Sequence, residues 1–301
     1  MAQLERTFAI ITSCKGRLDH LKQTLPQMVD QAAHEVIVVD FSCPQGTGDY
    51  VATNFRSVRV VSVPGAEHFS NWRARNAAAA VATSEMLVFV DADTKLANGA
   101  IDWLSTHLPE RAYGFFERST SESFNQSGPK VAANQLKGFH VIPAAAFRRV
   151  GGYDEILEGY AAGGDTDLEE RLGMIGLKRC ALDPRIIESV IEHDAASRTE
   201  HHAHPIRISY CAGLIYRSAK QSLLRLRRRL ELPLQSRQKL YSAALEAARS
   251  LGTGRDRIGM DVTIEEQPVL MPRQLGYKSG KKAVTLRVEV SLSGKLSEIP
   301  D

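Results

Sequence analysis

Short apolar runs and longer amphipathic segments alternate through the first ninety residues. The apolar runs predict strands that are buried on both faces of a sheet. The segments between them carry apolar residues at helical spacing, and a short helix is expected after the turn residues 41–48. Strands that alternate with helices at short spacing are typical of βαβ units, which build a parallel sheet with right-handed crossovers. The predicted strands are residues 8–12, 36–40, 58–63 and 86–90, and the predicted helices are residues 18–31 and 69–82.

The pattern loosens after residue 96 and changes character near residue 205. A polar stretch, residues 119–130, predicts a surface loop. From residue 205 to about 251 the chain is predicted to be helical, divided near Pro233, and the tail from residue 260 alternates like strands. We therefore expect an α/β domain over residues 1–204 and an extension over residues 205–301, helical and then β-rich. The remaining predicted elements are strands over residues 138–142 and 186–191 and helices over residues 143–150 and 165–172.

The composition is ordinary for a globular protein, with 43% hydrophobic residues, 24% charged residues and a net charge of +3. Such a small net charge gives no reason to expect a nucleic-acid partner. The four cysteines are far apart and lack Cys-x-x-Cys spacing, which argues against zinc and a disulfide framework and suits a reducing compartment. The sequence contains no recognisable signal peptide and no apolar stretch of ~18 residues, so the expected localisation is cytoplasmic.

Two aspartates follow the fourth predicted strand, separated by one alanine. In open α/β sheets, ligands bind outside the carboxyl ends of the strands, where Asp91 and Asp93 are expected. Two carboxylates this close repel each other unless a cation lies beside them, and Mg²⁺ or Mn²⁺ prefers such oxygen ligands together with substrate phosphates. A solvated turn is the alternative, because aspartate is common in turns.

Two further residues complete a candidate reaction centre. His193, at the end of the strand predicted over residues 186–191, is a candidate third metal ligand. Asp165, at the start of a helix behind two glycines, is a candidate general base, because burial would raise its pKa towards neutrality. A structural histidine and an ordinary N-cap aspartate are the alternatives.

These motifs, in this order, resemble those of the GT-A glycosyltransferases. The resemblance is to the inverting enzymes of family 2 with their galactosyltransferase-like C-terminal motif, and it covers roughly residues 7–195. Residues 12–17 and 69–76 also resemble nucleotide-binding loops of that family. The motifs are residues 91–94 (Asp-Ala-Asp-Thr), residues 151–155 (Gly-Gly-Tyr-Asp-Glu), residues 163–168 (Gly-Gly-Asp-Thr-Asp-Leu), Arg171 with Leu172, and His193.

The resemblance implies a Rossmann-like, mostly parallel sheet flanked by helices and a metal-dependent transfer of a sugar from a nucleoside-diphosphate sugar, UDP-sugar by expectation. Asp165 would be the base that deprotonates an acceptor hydroxyl on a glycan or other molecule. The implied metal ligands, for Mn²⁺ or Mg²⁺, are Asp91, Asp93 and His193. The implied donor-binding residues are Ser13, Arg17, Asp40, Phe69, Arg73, Asn76, Asp91, Ala92 and Gly138, and the implied acceptor-binding residues are Gly152, Tyr153, Asp154 and Asp167.

Two other functions remain open at this stage. A sugar nucleotidyltransferase would also use paired aspartates and a metal, but it would need a glycine-rich basic loop after the first strand, and only residues 15–17 hint at one. The second open function is a nucleotide-sugar or glycan-binding module without turnover. It remains open because Gly164 stands where the family usually has glutamate.

One strongly basic segment has two interpretations. Residues 217–239 contain eight lysines and arginines and one acidic residue, Glu231. Such a segment could make a peripheral contact with an anionic membrane. The alternative, which we favour, is a solvated helix face whose leucines pack inward.

Overall fold

The computed structural model describes residues 6–117, 136, 138–192, 199–251, 257–269 and 280–291. The chain divides into two compact units. The first contains residues 1–155 and 165–201, and the second contains residues 156–164 and 202–301. The predicted boundary at residue 204 stays a prediction. Residues 119–130 and His193, for which the sequence predicts a loop and a metal ligand, lie outside the described residues.

The first unit contains nine strands and six helices among its described residues. The strands are β1 (Phe8–Cys14), β2 (Glu35–Asp40), β3 (Val58–Ser62), β4 (Met86–Phe89), β5 (Thr94–Leu96), β6 (Ala112–Phe115), β7 (His140–Pro143), β8 (Lys178–Ala181) and β9 (Ile187–Val190). The helices are α1 (Leu18–Val29), α2 (Thr47–Asn54), α3 (Asn71–Val81), α4 (Ala100–His107), α5 (Ala144–Arg149) and α6 (Gly164–Met174), and a 3₁₀ turn covers Pro184–Ile186.

Seven of these strands form one mostly parallel sheet in the order β3-β2-β1-β4-β7-β6-β8. Strands β3, β2, β1 and β4 are parallel, β7 runs antiparallel to both of its neighbours, and β6 and β8 are parallel. The order reverses at β1, which lies between β2 and β4. The carboxyl ends of β1, β2 and β4 therefore meet at one edge, where α/β sheets bind ligands. The predicted α/β architecture with a mostly parallel sheet is confirmed.

The sheet is held by apolar side chains on both faces. All four residues of β4 are buried, and the central positions of β1 and β2 are fully shielded from solvent. Helix α3 packs on this sheet through small residues, since Ala74 and Ala78 are completely buried. Ser70 begins this helix, and its side chain accepts a hydrogen bond from the backbone N–H of Arg73 at 3.3 Å. The alanine-rich sequence thus lets the helix lie close to the ends of the strands.

A second, two-stranded sheet lies beside the carboxyl end of β4. Strand β5 follows Asp93 directly and pairs antiparallel with β9, which is the strand predicted over residues 186–191. The backbone N–H of Ile191 donates to the carbonyl oxygen of Asp93 at 2.8 Å. The chain just before His193 is therefore hydrogen-bonded to the second aspartate of the pair.

The second unit contains two helices and a long hairpin among its described residues. They are α7 (Ile206–Arg227), α8 (Leu234–Arg249), β10 (Arg257–Val269) and β11 (Gly280–Ser291). The helices pack together, with the rings of Tyr216 and Tyr241 edge to face at 5.5 Å. The predicted division of the helical region near Pro233 matches the structure, and the predicted β tail is an antiparallel pair of strands.

The corner between α7 and α8 combines a buried ion pair with exposed leucines. Lys220 is fully buried and contacts Glu231 at 2.9 Å. Leu226 and Leu234 are 70% and 54% exposed, with Arg228 exposed between them. The favoured interpretation assumed that the leucines of the basic segment pack inward. The exposure of Leu226 and Leu234 shows that not all of them do. None of the helices in the described part of the chain has the length and apolar character needed to cross a membrane.

Candidate functional site

The Asp91–Asp93 turn lies where the sequence predicts it, at the carboxyl end of β4. The backbone N–H of Thr94 donates to the carbonyl oxygen of Asp91 at 3.0 Å and closes the turn. Ala92 between the aspartates is buried, and its carbonyl oxygen accepts a hydrogen bond of 2.8 Å from the hydroxyl of Thr24. The alanine thus anchors the turn while the two carboxylates remain partly accessible, with side-chain exposures of 35% and 13%.

Each carboxylate of this pair faces an arginine. Arg75 of α3 donates to Asp91 at 2.8 Å, and Arg17, just before α1, lies 3.4 Å from Asp93. Arg75 is almost completely buried, at 2% exposure, and its guanidinium also lies over the rings of Phe89 and Tyr153. A buried arginine needs anionic partners, since its charge cannot be lost by deprotonation. The two arginines therefore reduce the repulsion between the paired carboxylates.

Asp165 belongs to the same cluster of charges. It lies in the first turn of α6, and its carboxylate is 3.5 Å from Arg75 and 3.5 Å from the Nδ1 atom of His140 on β7. The Nε2 atom of His140 lies 3.1 Å from Glu169, one helical turn beyond Asp165. Arg75 thus bridges the predicted donor-side aspartate, Asp91, and the predicted base, and the imidazole of His140 lies between two carboxylates.

Burial shifts the pKa values of both aspartates upward. Removal from water raises the pKa of Asp91, and the nearby Asp93 adds to the rise while Arg75 opposes it. Removal from water also raises the pKa of Asp165, and His140 and Arg75 oppose that rise. A carboxylate with a raised pKa is a stronger base, which is the property that a general base at Asp165 would need.

Two glycines leave room at this site. A Cβ atom on Gly138 would collide with the carboxylate of Asp91, so the absence of a side chain at residue 138 lets that carboxylate pack close to the backbone. Gly152 has a φ of +69°, and a Cβ atom there would lie 2.6 Å from the amide oxygen of Asn76. Substitution at Gly152 would therefore meet both backbone strain and a steric clash.

Asn76 holds the segment that carries Gly152 and Tyr153. Its side-chain amide donates to the carbonyl oxygen of Tyr153 at 2.9 Å and to Glu155 at 2.8 Å, and its oxygen accepts from the N–H of Tyr153 at 2.9 Å. The role in donor binding that the resemblance implies for Asn76 stays a prediction. In this structure the side chain connects α3 with the loop after α5.

The other predicted donor-binding residues lie on the loops after β1 and β2 and at the start of α3. The hydroxyl of Ser13 donates to Asn71 at 3.1 Å. Asp40 accepts from the backbone N–H groups of Cys43 and Gly48, both at 2.8 Å, and so orders the loop after β2. The same edge carries the edge-to-face ring pair of Phe41 with Phe69, and Arg73, whose guanidinium carbon lies 5.9 Å from the centre of the Phe41 ring.

Three of the predicted acceptor-binding side chains are buried. The hydroxyl of Tyr153 accepts a hydrogen bond of 3.1 Å from Arg75, and burial raises the pKa of that hydroxyl. Asp154 is fully buried. Asp167 is 1% exposed and binds Arg171 through two hydrogen bonds of 2.9 and 2.6 Å. Contact of these residues with an acceptor stays a prediction.

A cavity of about 840 Å³ opens in the first unit beside this cluster. Arg73, Asn76, Gly152 and Glu155 are among the residues that line it. The aspartates of the cluster do not line it, so the cavity is adjacent to the charged centre.

Sequence reasoning missed two members of the cluster, His140 and Glu169. His140 is the one polar residue in the apolar run 138–142, and Glu169 follows Asp165 by four residues, a spacing that places two side chains on one helix face. These spacings were available in the sequence, but nothing in it indicated that β7 lies beside α6.

Comparison with known proteins identifies the fold. No family model matches the chain, and no curated protein sequence matches it. Solved structures with a similar fold include the following two. One is the mannosyltransferase PcManGT from Pyrobaculum calidifontis, in complex with GDP-Man and Mn²⁺, at 18% identity and a TM-score of 0.54, covering 83% of this chain and 77% of that one. The other is S. aureus TarS 1–349, at 13% identity and a TM-score of 0.53, covering 81% of this chain and 71% of that one. The chain therefore has a GT-A-like glycosyltransferase fold.

Proposed function

We propose that this protein is a metal-dependent inverting glycosyltransferase, which moves a sugar from a nucleoside-diphosphate sugar to an acceptor hydroxyl. The observation that carries the proposal is the bridge made by Arg75 between Asp91, at the carboxyl end of β4, and Asp165, at the start of α6. The GT-A-like fold supports it, and so does the nucleotide-sugar bound by one similar structure.

The residues around Asp91 and Asp93 fit a divalent cation. Both offer hard carboxylate oxygens, and their side chains are 35% and 13% exposed, so part of each carboxylate is accessible. A cation held by Asp91, Asp93 and His193 would neutralise the charge on the departing nucleoside diphosphate. Mn²⁺ is favoured, since the mannosyltransferase structure contains it.

Asp165 supplies the base in this proposal. Its carboxylate takes the proton of the acceptor hydroxyl, whose oxygen attacks the anomeric carbon from the face opposite the leaving group, so one displacement inverts the anomeric centre. The ring of His140 is held by Glu169 at one nitrogen and faces Asp165 across 3.5 Å at the other, which would help to position that carboxylate. Arg75 holds both Asp91 and Asp165 in place and stabilises their charged forms.

The experiment is a donor panel. Incubate the protein with UDP-sugars and GDP-sugars in the presence of Mn²⁺ and measure release of the nucleoside diphosphate, with water as the nucleophile until an acceptor is known. We expect release from at least one donor, with inverted configuration in the sugar product by NMR. Binding of a nucleotide-sugar without turnover of any donor would instead favour the binding-module alternative. Pyrophosphate release from a nucleoside triphosphate and a sugar phosphate would favour the nucleotidyltransferase.

A further inference from the structure

Two cysteines lie together at the carboxyl ends of neighbouring strands. Cys14 is the last residue of β1 and pairs in register with Asp40, the last residue of β2. The N–H of Phe41 donates to the carbonyl oxygen of Cys14 at 3.1 Å, and Asp40 accepts from the N–H of Cys43 at 2.8 Å, so the chain turns back towards β1. The hydroxyl of Thr47, at the start of α2, donates to the sulfur of Cys14 at 3.1 Å, and the N–H of Gly16 donates to the sulfur of Cys43 at 3.2 Å, which places both sulfurs at this junction of the two strands. Both thiols are free in this structure.

The two thiols differ in exposure and in charge. Cys14 is 1% exposed, whereas Cys43 is partly exposed and accepts a hydrogen bond of 3.2 Å from the backbone N–H of Gly16. The neighbouring Cys14 thiol lowers the pKa of the Cys43 thiol to about 5, with help from Thr47 and backbone groups, while the neighbouring Cys43 and burial raise the pKa of Cys14. An accessible thiolate beside a buried thiol is the arrangement of an oxidisable pair.

We propose that Cys43 and Cys14 form a peroxide-oxidisable dithiol, in which Cys43 reacts first and Cys14 closes a disulfide. The thiolate of Cys43 attacks the O–O bond of a hydroperoxide. An S–O bond forms, the O–O bond breaks, and the departing alkoxide or hydroxide takes a proton, which leaves a sulfenic acid on Cys43 and an alcohol or water. The sulfur of Cys14 then attacks the sulfenic sulfur. An S–S bond forms, the S–O bond breaks, and hydroxide leaves with the proton of Cys14 as water.

The disulfide would connect the end of β1 with the loop after β2, at the ligand-binding edge of the sheet. The chain just beyond Cys14 carries Arg17, which contacts Asp93, and the loop after β2 is ordered by Asp40. The thiol chemistry does not depend on the proposed transferase activity, so it can be measured without any sugar donor.

The chain offers a matched control in Cys180, which is also partly exposed but has a pKa raised by burial. Label the full-length wild-type protein with iodoacetamide between pH 6 and 8 and quantify each cysteine by peptide mass spectrometry. An ordinary thiol is alkylated roughly 100-fold faster at pH 8 than at pH 6, because its thiolate fraction rises about tenfold per pH unit. Cys43 should change by less than about threefold, since it is already a thiolate at pH 6.

Oxidation then tests the pairing of the two cysteines. One equivalent of hydrogen peroxide should give a Cys14–Cys43 disulfide in the wild type and in Cys180→Ser. Cys14→Ser should stop at a sulfenic acid on residue 43 that dimedone traps, and Cys43→Ser should give neither product. The proposal is overturned if wild-type Cys43 labels with the same pH dependence as Cys180, or if peroxide yields no Cys14–Cys43 disulfide in the wild type. Both readouts use wild-type protein, so they do not depend on how well the variants fold.

Discussion

Asp165→Asn and Asp167→Asn provide the sharpest test of the proposed base. Asp165 is partly accessible and interacts with Arg75 and His140, whereas Asp167, two residues on, is buried against Arg171. If Asp165 is the base, its replacement by asparagine should lower transfer by roughly 10²–10⁴-fold, the scale for loss of a general base. Donor and metal affinity should remain close to wild type, because Asp91 and Asp93 are unchanged.

The two variants should also differ in stability. Asp165→Asn should be at least as stable as the wild type, whereas Asp167→Asn should be less stable. Folding raises the pKa of Asp165, so ionisation of this carboxyl group favours the unfolded state. The free energy of unfolding therefore falls as the pH rises from the pKa of Asp165 in the unfolded state through its pKa in the folded state. Asp165→Asn removes that cost, and the free energy of unfolding at neutral pH should be unchanged or higher. Asp167→Asn removes one charge of a buried ion pair, which costs about 3–5 kcal/mol. At roughly 2–4 °C per kcal/mol for a protein of this size, its melting temperature should fall by roughly 6–20 °C.

The assay is donor hydrolysis, corrected for the folded fraction measured by near-UV circular dichroism, with thermal melts on the same samples. The expected pattern is a loss of turnover without loss of stability in Asp165→Asn, and the reverse in Asp167→Asn. Near-native turnover in Asp165→Asn together with its loss in folded Asp167→Asn would refute the reasoning, because the base would then be the other carboxylate.

Three further predictions concern the metal site, His140 and the basic segment. Calorimetric titration of UDP and GDP should give tighter binding with Mn²⁺ than with EDTA, and His193→Ala should weaken the Mn²⁺-dependent part; equal affinity with and without metal would contradict the metal site. His140→Gln should move the acid limb of the pH–rate profile to higher pH, because His140 opposes the rise in the pKa of Asp165; an unshifted limb would argue against their coupling. If the basic segment docks on membranes, vesicles with anionic lipid should retain the protein in flotation and Leu226→Ser should weaken retention, whereas equal recovery with neutral vesicles would favour a solvated surface.

The parts of the fold that the sequence predicts are the buried ones. The runs at residues 36–39 and 86–90 are continuous and apolar because β2 and β4 are covered on both faces, and a run of this kind is a strong strand signal. Strand β8 gives no such signal, since Lys178 and Arg179 are exposed at the edge of the sheet. Strand β5 is three residues long and forms only through its pairing with β9, which is distant in the sequence.

The residues of the site were also predictable only where the local sequence carried a signal. Asp91 and Asp165 were predicted because each lies in a local motif, at a strand end or at a helix start. The contribution of Arg75 depends on packing: it occupies a core-facing position of α3 beside Ala74 and Ala78, where the sequence would suggest another small or apolar residue. A charged residue at such a position is the signal for a buried anionic partner, although the periodicity alone does not identify that partner.

The charges of the described cluster give a reason for a cation that is independent of any third ligand. Three carboxylates, Asp91, Asp93 and Asp165, face two guanidinium groups, those of Arg17 and Arg75. His140 lies against Asp165, and the side chains of Asp91, Asp93 and Asp165 are 35%, 13% and 21% exposed, so the cluster is only partly open to water. A diphosphate would add further negative charge at close range, and such repulsion is strong where screening is weak. Protonation of Asp165 would relieve the repulsion but would remove the proposed base. We propose that a divalent cation enters with the donor, because its charge would offset that of the diphosphate beside the aspartates of this cluster.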